Sequence, residues 1–239
     1  MSQDRSRLPQ LPTPSDAVIS SVEWLFEPAW RGDRLMAHLR DGEVSLYDSG
    51  GEVANGEFDE VAEVLAPSVD ADEALIDGIW TSMPFLGEGS AARHLAEAIA
   101  EEGLAEELPD PLEAEKRRAF VALDLVELDG QVLHDVPYLE RRRLLGSVVV
   151  EGVRVRISPA VRNPIHNWLN AWRANGFSHY VAKHANSRYE PGEIAEDWLE
   201  IPTAEHRVPG AMGRLIGARP KKVARIHDEP RSREQPPEG

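Results

Sequence analysis

The stretch "YVAKHANSRYEPGEIAEDWLEI", residues 180–201, contains two apolar runs on either side of a Pro-Gly dipeptide. The first run belongs to "SHYVAKHA" and the second to "EIAEDWLEIP", and both have the composition of β-strands. Pro191-Gly192 indicates a turn between them. The stretch therefore predicts two consecutive strands that close the folded part of the chain.

Upstream of this stretch, strand and helix patterns interleave. Asp41-Gly42 and Asp129-Gly130 each follow an apolar run, and Asp-Gly is the strongest short-range signal for a hairpin. Apolar residues at helical spacing predict helices in four segments: "FDEVAEVLA", "SAARHLAEAIAEEG", "YLERRRLLGSVV" and "IHNWLNAWRANG". Because hairpin turns outnumber crossover helices, we expect an α+β fold with mixed or antiparallel sheets.

Composition divides the chain into three parts. Residues 1–16 are polar and rich in proline, which predicts a flexible lead-in. Residues 17–202 form the predicted domain. Residues 203–239 are basic and rich in Pro and Gly, and this tail is too short for an oligonucleotide-binding barrel.

Charge and cysteine content exclude several function classes. The net charge is −16, and the tail from residue 203 carries eight basic against five acidic residues, so the remainder carries −19. An acidic body argues against general affinity for nucleic acid. The chain has no cysteine and no apolar run long enough to cross a membrane, so we expect a cytoplasmic protein without disulfides or thiolate metal sites. An alternative partner, nucleic acid, would be contacted by five basic tail residues: Arg214, Arg219, Lys221, Lys222 and Arg225.

Five short segments, in this order, resemble the adenylation domain of ATP-dependent DNA ligases, particularly the bacterial end-joining type. They are "WLFEPAWRGDR", "LIDGIW", "FVALDLVELDG", "VPYLERRRLL" and the closing stretch quoted above. The resemblance runs from about residue 14 to 202. It implies the ATP-grasp-like nucleotidyltransferase fold of DNA ligases and mRNA-capping enzymes.

The chemistry of the resembled family needs a lysine that attacks the α-phosphorus of ATP, carboxylates that hold a metal ion and cations that bind phosphates. The resembled motif has its nucleophilic lysine two residues after the glutamate, and here that position is Ala29. Two residues further on, the motif has an aspartate and this chain has Arg31. The metal-associated glutamate of the Asp-Gly-Glu motif is Ile79. The phenylalanine expected to stack on adenine is Leu123.

The last two motifs also differ from the family pattern at positions expected to bind nucleotide. Lys183 is present, but the Glu and Gly expected before it are Ser178 and His179. At the two positions where the family motif has phosphate-binding lysines, this chain has Glu200 and Pro202. The turn and core residues of the closing motif are retained: Ser187, Tyr189, Pro191, Gly192, Asp197 and Trp198.

Loss of catalytic positions beside retention of structural ones predicts an inactive member of the family, with no catalytic residue, no metal and no cofactor. We expect a binding or scaffolding module with a protein partner in nucleic-acid metabolism. One alternative is an active ATP-dependent ligase or nucleotidyltransferase with relocated residues, in which Lys183 would be the acceptor and ATP and Mg²⁺ would be needed. Another is a nucleotide sensor that binds without transfer.

Residual nucleotide contacts, if any, fall on Glu27, Arg34 and Lys183. Lys183 is either a phosphate ligand or a strand lysine with its ammonium in solvent. Glu27 and Arg34 are expected near Arg31, paired with one another or with it. The histidines show no ligand spacing. Four residues of the helix at 165–172 are predicted to pack in the core: Ile165, Trp168, Leu169 and Trp172.

Overall fold

The computed structural model describes residues 5–82 and 118–203. The strands in these ranges are β1 (Leu11–Pro14), β2 (Trp24–Pro28), β3 (Asp33–Arg40), β4 (Glu43–Tyr47), β5 (Glu73–Thr81), β6 (Ala119–Leu128), β7 (Gln131–Val132), β8 (Val155–Ile157), β9 (His179–His184) and β10 (Ile194–Pro202). The helices are α1 (Asp59–Leu65), α2 (Tyr138–Val148) and α3 (His166–Ala174), with short 3₁₀ turns at Arg5–Arg7 and Ala66–Ser68.

The strands form two sheets. The first has the order β1-β10-β9-β2, and within it only the β1–β10 pair is parallel. The second has the order β4-β3-β5-β6-β7, with β8 added parallel to the start of β6. The α+β class and the mixed, mostly antiparallel pairing predicted from the sequence are confirmed.

Both Asp-Gly hairpins form where the sequence predicts them. Asp41 and Gly42 connect β3 to β4 with φ angles of 51° and 80°. Asp129 and Gly130 connect β6 to β7 with φ angles of 47° and 76°. Two successive positive φ angles are the requirement of a type I′ turn, which matches the twist of the paired strands.

Three apolar layers hold the sheets. α1 and α2 pack on one face of the second sheet, where Leu35, Val61 and Leu145 are fully buried. α3 covers one face of the first sheet through Trp172. Between the sheets lie residues from both: Met36, Tyr47, Leu75, Val126, Tyr189, Ala195 and Trp198. A site between the two sheets is therefore walled by strands on both sides.

The predicted lead-in is wrong for residues 11–14, because these form β1 at the edge of the first sheet. Its prolines, Pro12 and Pro14, have no N–H to donate, and an edge strand tolerates this. The amides of Leu11 and Ser15 donate instead to the carbonyls of Glu193 and Glu200. The polar, proline-rich composition gave no sign of this pairing.

One domain boundary and one burial assignment also differ from the predictions. Thr203, assigned to the tail, is buried, and its amide and hydroxyl donate to the carbonyls of Ser178 and Phe177. Trp168, assigned to the core, is 44% exposed, whereas Ile165 and Trp172 are buried as expected. The predicted helix ending at Gly103 and the tail beyond residue 203 lie outside the described residues. Within the described part of the chain, no helix is long and apolar enough to cross a membrane.

Candidate functional site

A cavity of about 160 Å³ lies between the sheets, at the end where β2, β9 and β10 face β3, β5 and β6. Its lining includes each residue predicted to contact nucleotide: Glu27, Arg34 and Lys183. The remaining lining residues are Pro12, Pro28, Ala29, Trp30, Ile79, Leu123, Val181, Trp198 and Glu200. The three positions that the ligase motifs assigned to a nucleotide site therefore lie at one cavity in the folded chain.

Glu27 points towards the second sheet because side chains alternate along β2. Its neighbours Trp24 and Phe26 pack on the α3 side, so residue 27 takes the opposite face. The carboxylate is 2% exposed. It accepts a hydrogen bond from the Tyr138 hydroxyl, and its Oε1 lies 3.3 Å from Lys183 Nζ and 4.0 Å from Arg142 Nη1.

Lys183 does not extend into solvent, so that alternative is wrong. Its side chain is 4% exposed, and Nζ donates to the carbonyl of Leu123 at 3.3 Å besides the ion pair with Glu27. The ammonium also lies 4.7 Å from the ring centroid of Tyr138 and 4.2 Å from that of Trp198. Two aromatic faces, a carbonyl and a carboxylate thus enclose the charge.

Helix α2 supplies the Tyr138 contact. The amides of Tyr138 and Leu139 donate to the carbonyls of Ser187 and Ala185, which fixes the start of α2 against the loop after β9. Burial raises the pKa of Tyr138 well above its ordinary value, and the charge of Glu27 adds to this. Tyr138 therefore remains a neutral hydrogen-bond donor to the carboxylate.

Arg34 is held by Asp77, not by Glu27 or Arg31 as predicted. Its Nε and Nη2 donate to the two carboxylate oxygens of Asp77 at 2.5 and 2.7 Å. The Tyr189 hydroxyl donates to the same carboxylate at 2.8 Å. Burial acts to lower the pKa of Arg34, but the charge and hydrogen bonds of Asp77, together with the charges of Tyr189 and Glu27, act in the opposite direction and the pKa is raised.

Arg31 lies away from the group formed by Glu27, Arg34 and Lys183. Its guanidinium donates to the hydroxyl of Ser178, and its carbonyl accepts from Thr81 at 2.6 Å. The two positions at which the sequence departs from the expected acids, 31 and 178, are thus in direct contact. Arg31 does not line the cavity.

The other departures shape the cavity walls. Ile79 and Leu123 are buried in a small apolar cluster with Val121, against which Trp30 packs. Glu200 extends from β10, where it is paired with Val181 of β9. The wall that would meet a phosphate group therefore combines apolar surface with an additional carboxylate.

A second buried ion pair, near the cavity, was missed by the sequence analysis. Arg141 of α2 donates to both oxygens of Asp124 at 2.9 and 2.8 Å, and both side chains are fully buried. Its Nη1 donates to the carbonyls of Val136 and Ser187. The only signal was the arginine run in "VPYLERRRLL", which does not reveal which arginine turns inward.

No three His, Cys, Asp or Glu side chains lie close enough to hold a metal ion in residues 5–82 and 118–203. The carboxylates of Asp77 and Asp124 are each occupied by an arginine. Because metal ligands must present free oxygen lone pairs, these two carboxylates do not form a ready cation site.

Residues 13–201 match the family model described as the ATP dependent DNA ligase domain. The chain belongs to this family. The DNA ligase of Thermococcus onnurineus strain NA1 is 26% identical over 196 residues, which is 77% of this chain and 33% of that protein. The multifunctional non-homologous end joining DNA repair protein LigD of Mycobacterium tuberculosis strain H37Rv is 24% identical over 184 residues, covering 77% of this chain and 22% of that protein.

Solved structures of this family share the fold. The mycobacterial DNA ligase D complexed with ATP and MES matches with a TM-score of 0.60 and 23% identity, over 83% of this chain and 61% of that chain. The ligase domain of Mycobacterium tuberculosis LigD matches with a TM-score of 0.59 and 21% identity, over 82% and 59%. The chain spans a third or less of the length of the two curated relatives, and its matched part is a DNA ligase-like adenylation domain.

Proposed function

We propose that this ligase-like domain is catalytically inactive and acts as a binding or scaffolding module for a protein partner in nucleic-acid metabolism. The observation that supports inactivity most directly is the state of its lysines. Position 29, which the family motif gives to the nucleophile, is alanine. Lys183 is the only lysine in the described residues, and its ammonium is enclosed by Glu27, Tyr138 and Trp198.

A relocated nucleophile is not supported by these contacts. To attack a phosphorus atom, an amine must be deprotonated and must present its lone pair to the substrate. Lys183 Nζ instead lies 3.3 Å from Oε1 of Glu27, so an attack by this amine would first have to break that ion pair. The same Nζ donates to the carbonyl of Leu123 at 3.3 Å, and this hydrogen bond would also have to break.

Tight nucleotide binding is not supported either. A cavity of about 160 Å³ is below the 300–1,000 Å³ typical of small-molecule sites. Glu200 places a carboxylate where the family motif places a phosphate-binding lysine, and a triphosphate would be repelled by it. We therefore expect ATP to bind no more tightly than about 1 mM, roughly −4 kcal/mol.

The structural residues that the chain retains, and its acidic charge, support a partner-binding role. Residues that build the sheets and turns are present, and the body carries a net charge of −19, which suits a partner with a basic surface. The DNA repair context is that of the relative LigD, a multifunctional non-homologous end joining DNA repair protein. Affinity capture from the source cells tests this part of the proposal, since recovery of no stoichiometric protein would contradict it.

Incubation with radiolabelled ATP or GTP and Mg²⁺ or Mn²⁺ tests inactivity. The expected result is no covalent nucleotide adduct after denaturation. An adduct that maps to Lys183 would establish the alternative of an active nucleotidyltransferase. Micromolar ATP affinity without an adduct, lost in Lys183→Ala, would instead establish a nucleotide sensor.

A further inference from the structure

We propose that the cavity between the sheets binds a small organic cation, a primary ammonium or guanidinium group carried on an apolar stem. This inference specifies a ligand for the proposed binding module. It rests on the proposed function, because the cavity must not be occupied by nucleotide. The charged residues in the cavity lining are Glu27, Arg34, Lys183 and Glu200.

Three of these four charges are balanced within the protein. Arg34 is neutralised by the bidentate contact with Asp77, and Lys183 by Glu27. Arg142, which lies outside the lining, adds positive charge next to Glu27. Glu27 and Arg34 are therefore not available to a new charged ligand.

Glu200 is the exception. Its carboxylate has no hydrogen bond or ion pair with any residue in the described ranges, although its backbone carbonyl accepts from Ser15. The side chain is partly buried at the cavity wall, where water cannot solvate it fully. A partly desolvated and unpaired anion favours a cation, and it disfavours the anionic ligands of a phosphate site.

The rest of the wall suits an apolar stem. Ile79, Leu123 and Val181 present aliphatic surface, and Trp30 adds indole surface. Ala29 ends at its Cβ, so the space beyond it is not filled by a long side chain at that position. A chain of methylene groups buries its surface against such a wall while its charged end reaches a carboxylate. The volume of about 160 Å³ limits the ligand to a short amine or to one side chain.

The test titrates the 239-residue protein at low salt with n-butylamine, with agmatine and with the blocked peptide acetyl-Gly-Lys-Gly-amide, monitored by heteronuclear NMR. The expected result is saturable binding of at least one of them, with shifts at residues of the cavity wall. Saturation by the free amines but not by the peptide assigns a small-molecule ligand, and saturation by the peptide assigns a lysine side chain. Absence of saturable binding by all three would overturn the proposal.

Variants locate the binding. Glu200→Gln keeps the size of the side chain and should weaken binding at least tenfold, whereas Glu196→Gln, exposed on the same strand, should leave it unchanged. Equal affinity in Glu200→Gln and the unsubstituted protein would overturn the proposal. Both variants need the amide spectrum of the folded protein, since that spectrum separates loss of a contact from loss of the fold.

A second variant does not depend on Glu200. Ala29→Lys extends a lysine from position 29 of the lining, so it should compete with added amines and weaken their binding at least tenfold. Butan-1-ol, which has a similar stem and no charge, should bind at least tenfold more weakly than n-butylamine. If ATP forms no adduct and amines also fail to bind, only this inference fails; an ATP adduct would overturn the proposed function on separate grounds.

Discussion

The pair formed by Glu27 and Lys183 is where a single substitution has the clearest consequence. Both side chains are buried, so removal of Lys183 leaves the Glu27 carboxylate away from water, with Arg142 Nη1 at 4.0 Å and the Tyr138 hydroxyl as its remaining contacts. Lys183→Met should lower the free energy of unfolding by about 3–5 kcal/mol. Urea denaturation followed by circular dichroism measures this.

The matched control for that substitution is an exposed ion pair. Arg143 and Glu140 contact each other on the surface of α2, where water solvates both charges, so Arg143→Met should cost much less stability than Lys183→Met. In the double variant Glu27→Gln/Lys183→Met no buried charge is left unpaired at these two positions, so it should be more stable than Lys183→Met alone. A Lys183→Met cost equal to that of Arg143→Met would mean that the pair is solvated.

Asp197 gives a dependence of stability on pH. Burial raises the pKa of this half-buried carboxyl above 3.8, so the folded state favours its protonated form. The resulting stabilisation is complete below 3.8 and is lost as the pH rises through the raised pKa. Asp197→Asn should therefore be more stable than the unsubstituted protein at pH 7, and this difference should disappear below about pH 3.8.

Thermal unfolding of both proteins across that pH range provides the measurement for Asp197. Asp70→Asn, at an exposed position, is the control and should show no comparable change. A difference between Asp197→Asn and the unsubstituted protein that grows as the pH falls would contradict the assigned direction.

At the level of elements, the turn into β3 depends on Gly32. Its φ angle is 152°, and a Cβ placed there would lie 2.2 Å from the carbonyl oxygen of Trp80. Because that oxygen belongs to the backbone of β5, it cannot move without disturbing the β3–β5 pairing. Gly32→Ala should cost about 1–3 kcal/mol of stability or more, measured by urea denaturation.

Gly146 is the control for Gly32, since it lies in helix α2 and a Cβ added there would meet open space. Gly146→Ala should raise stability by about 0.5–1 kcal/mol, because alanine loses less conformational entropy in a helix. If both alanine variants changed stability in the same direction, the contact with Trp80 would not be the limiting feature of this turn.

The elements themselves could be predicted from the sequence, because their signals are local. Asp-Gly dipeptides located the hairpins after β3 and β6, and helical periodicity located α1, α2 and α3. The pairing of β1 with β10 joins residues about 180 positions apart, and no local pattern encodes it. The family resemblance supplied the fold, which alternation and turns alone left open between several α+β arrangements.

The site was predicted less completely than the fold. Motif spacing placed Glu27, Arg34 and Lys183 at one cavity, but it did not give their partners, since those come from other strands and from α2. The alternation of β2 would have indicated an inward Glu27, because Trp24 and Phe26 occupy the other face. Nothing local distinguishes Arg141 from Arg142 and Arg143 as the partner of Asp124.

For the molecule as a whole, two of the retained residues, Tyr189 and Trp198, lie in the apolar layer between the two sheets. Trp198 donates from its indole nitrogen to the Ser187 hydroxyl at 2.9 Å, and Tyr189 donates to Asp77 across the gap between the sheets. Asp77 and Asp124, which belong to ligase motifs, are held by arginines within the protein. These contacts stabilise the fold independently of any nucleotide, so the architecture can persist without the reaction.

Ala29→Lys alone should therefore not restore self-adenylation. The new amine would face a cavity whose walls still include Ile79 in an apolar cluster and the carboxylate of Glu200, so neither a metal ion nor the triphosphate would gain its ligands. Electrostatic stabilisation of the transferring phosphoryl group supplies most of the rate in this type of chemistry, and a nucleophile without it remains slow. Incubation of Ala29→Lys with radiolabelled ATP and Mg²⁺ should leave the denatured protein unlabelled, with an active ATP-dependent ligase as the positive control. Labelling of this single variant would mean that the remaining residues still bind and orient ATP, and the loss of activity would then rest on position 29 alone.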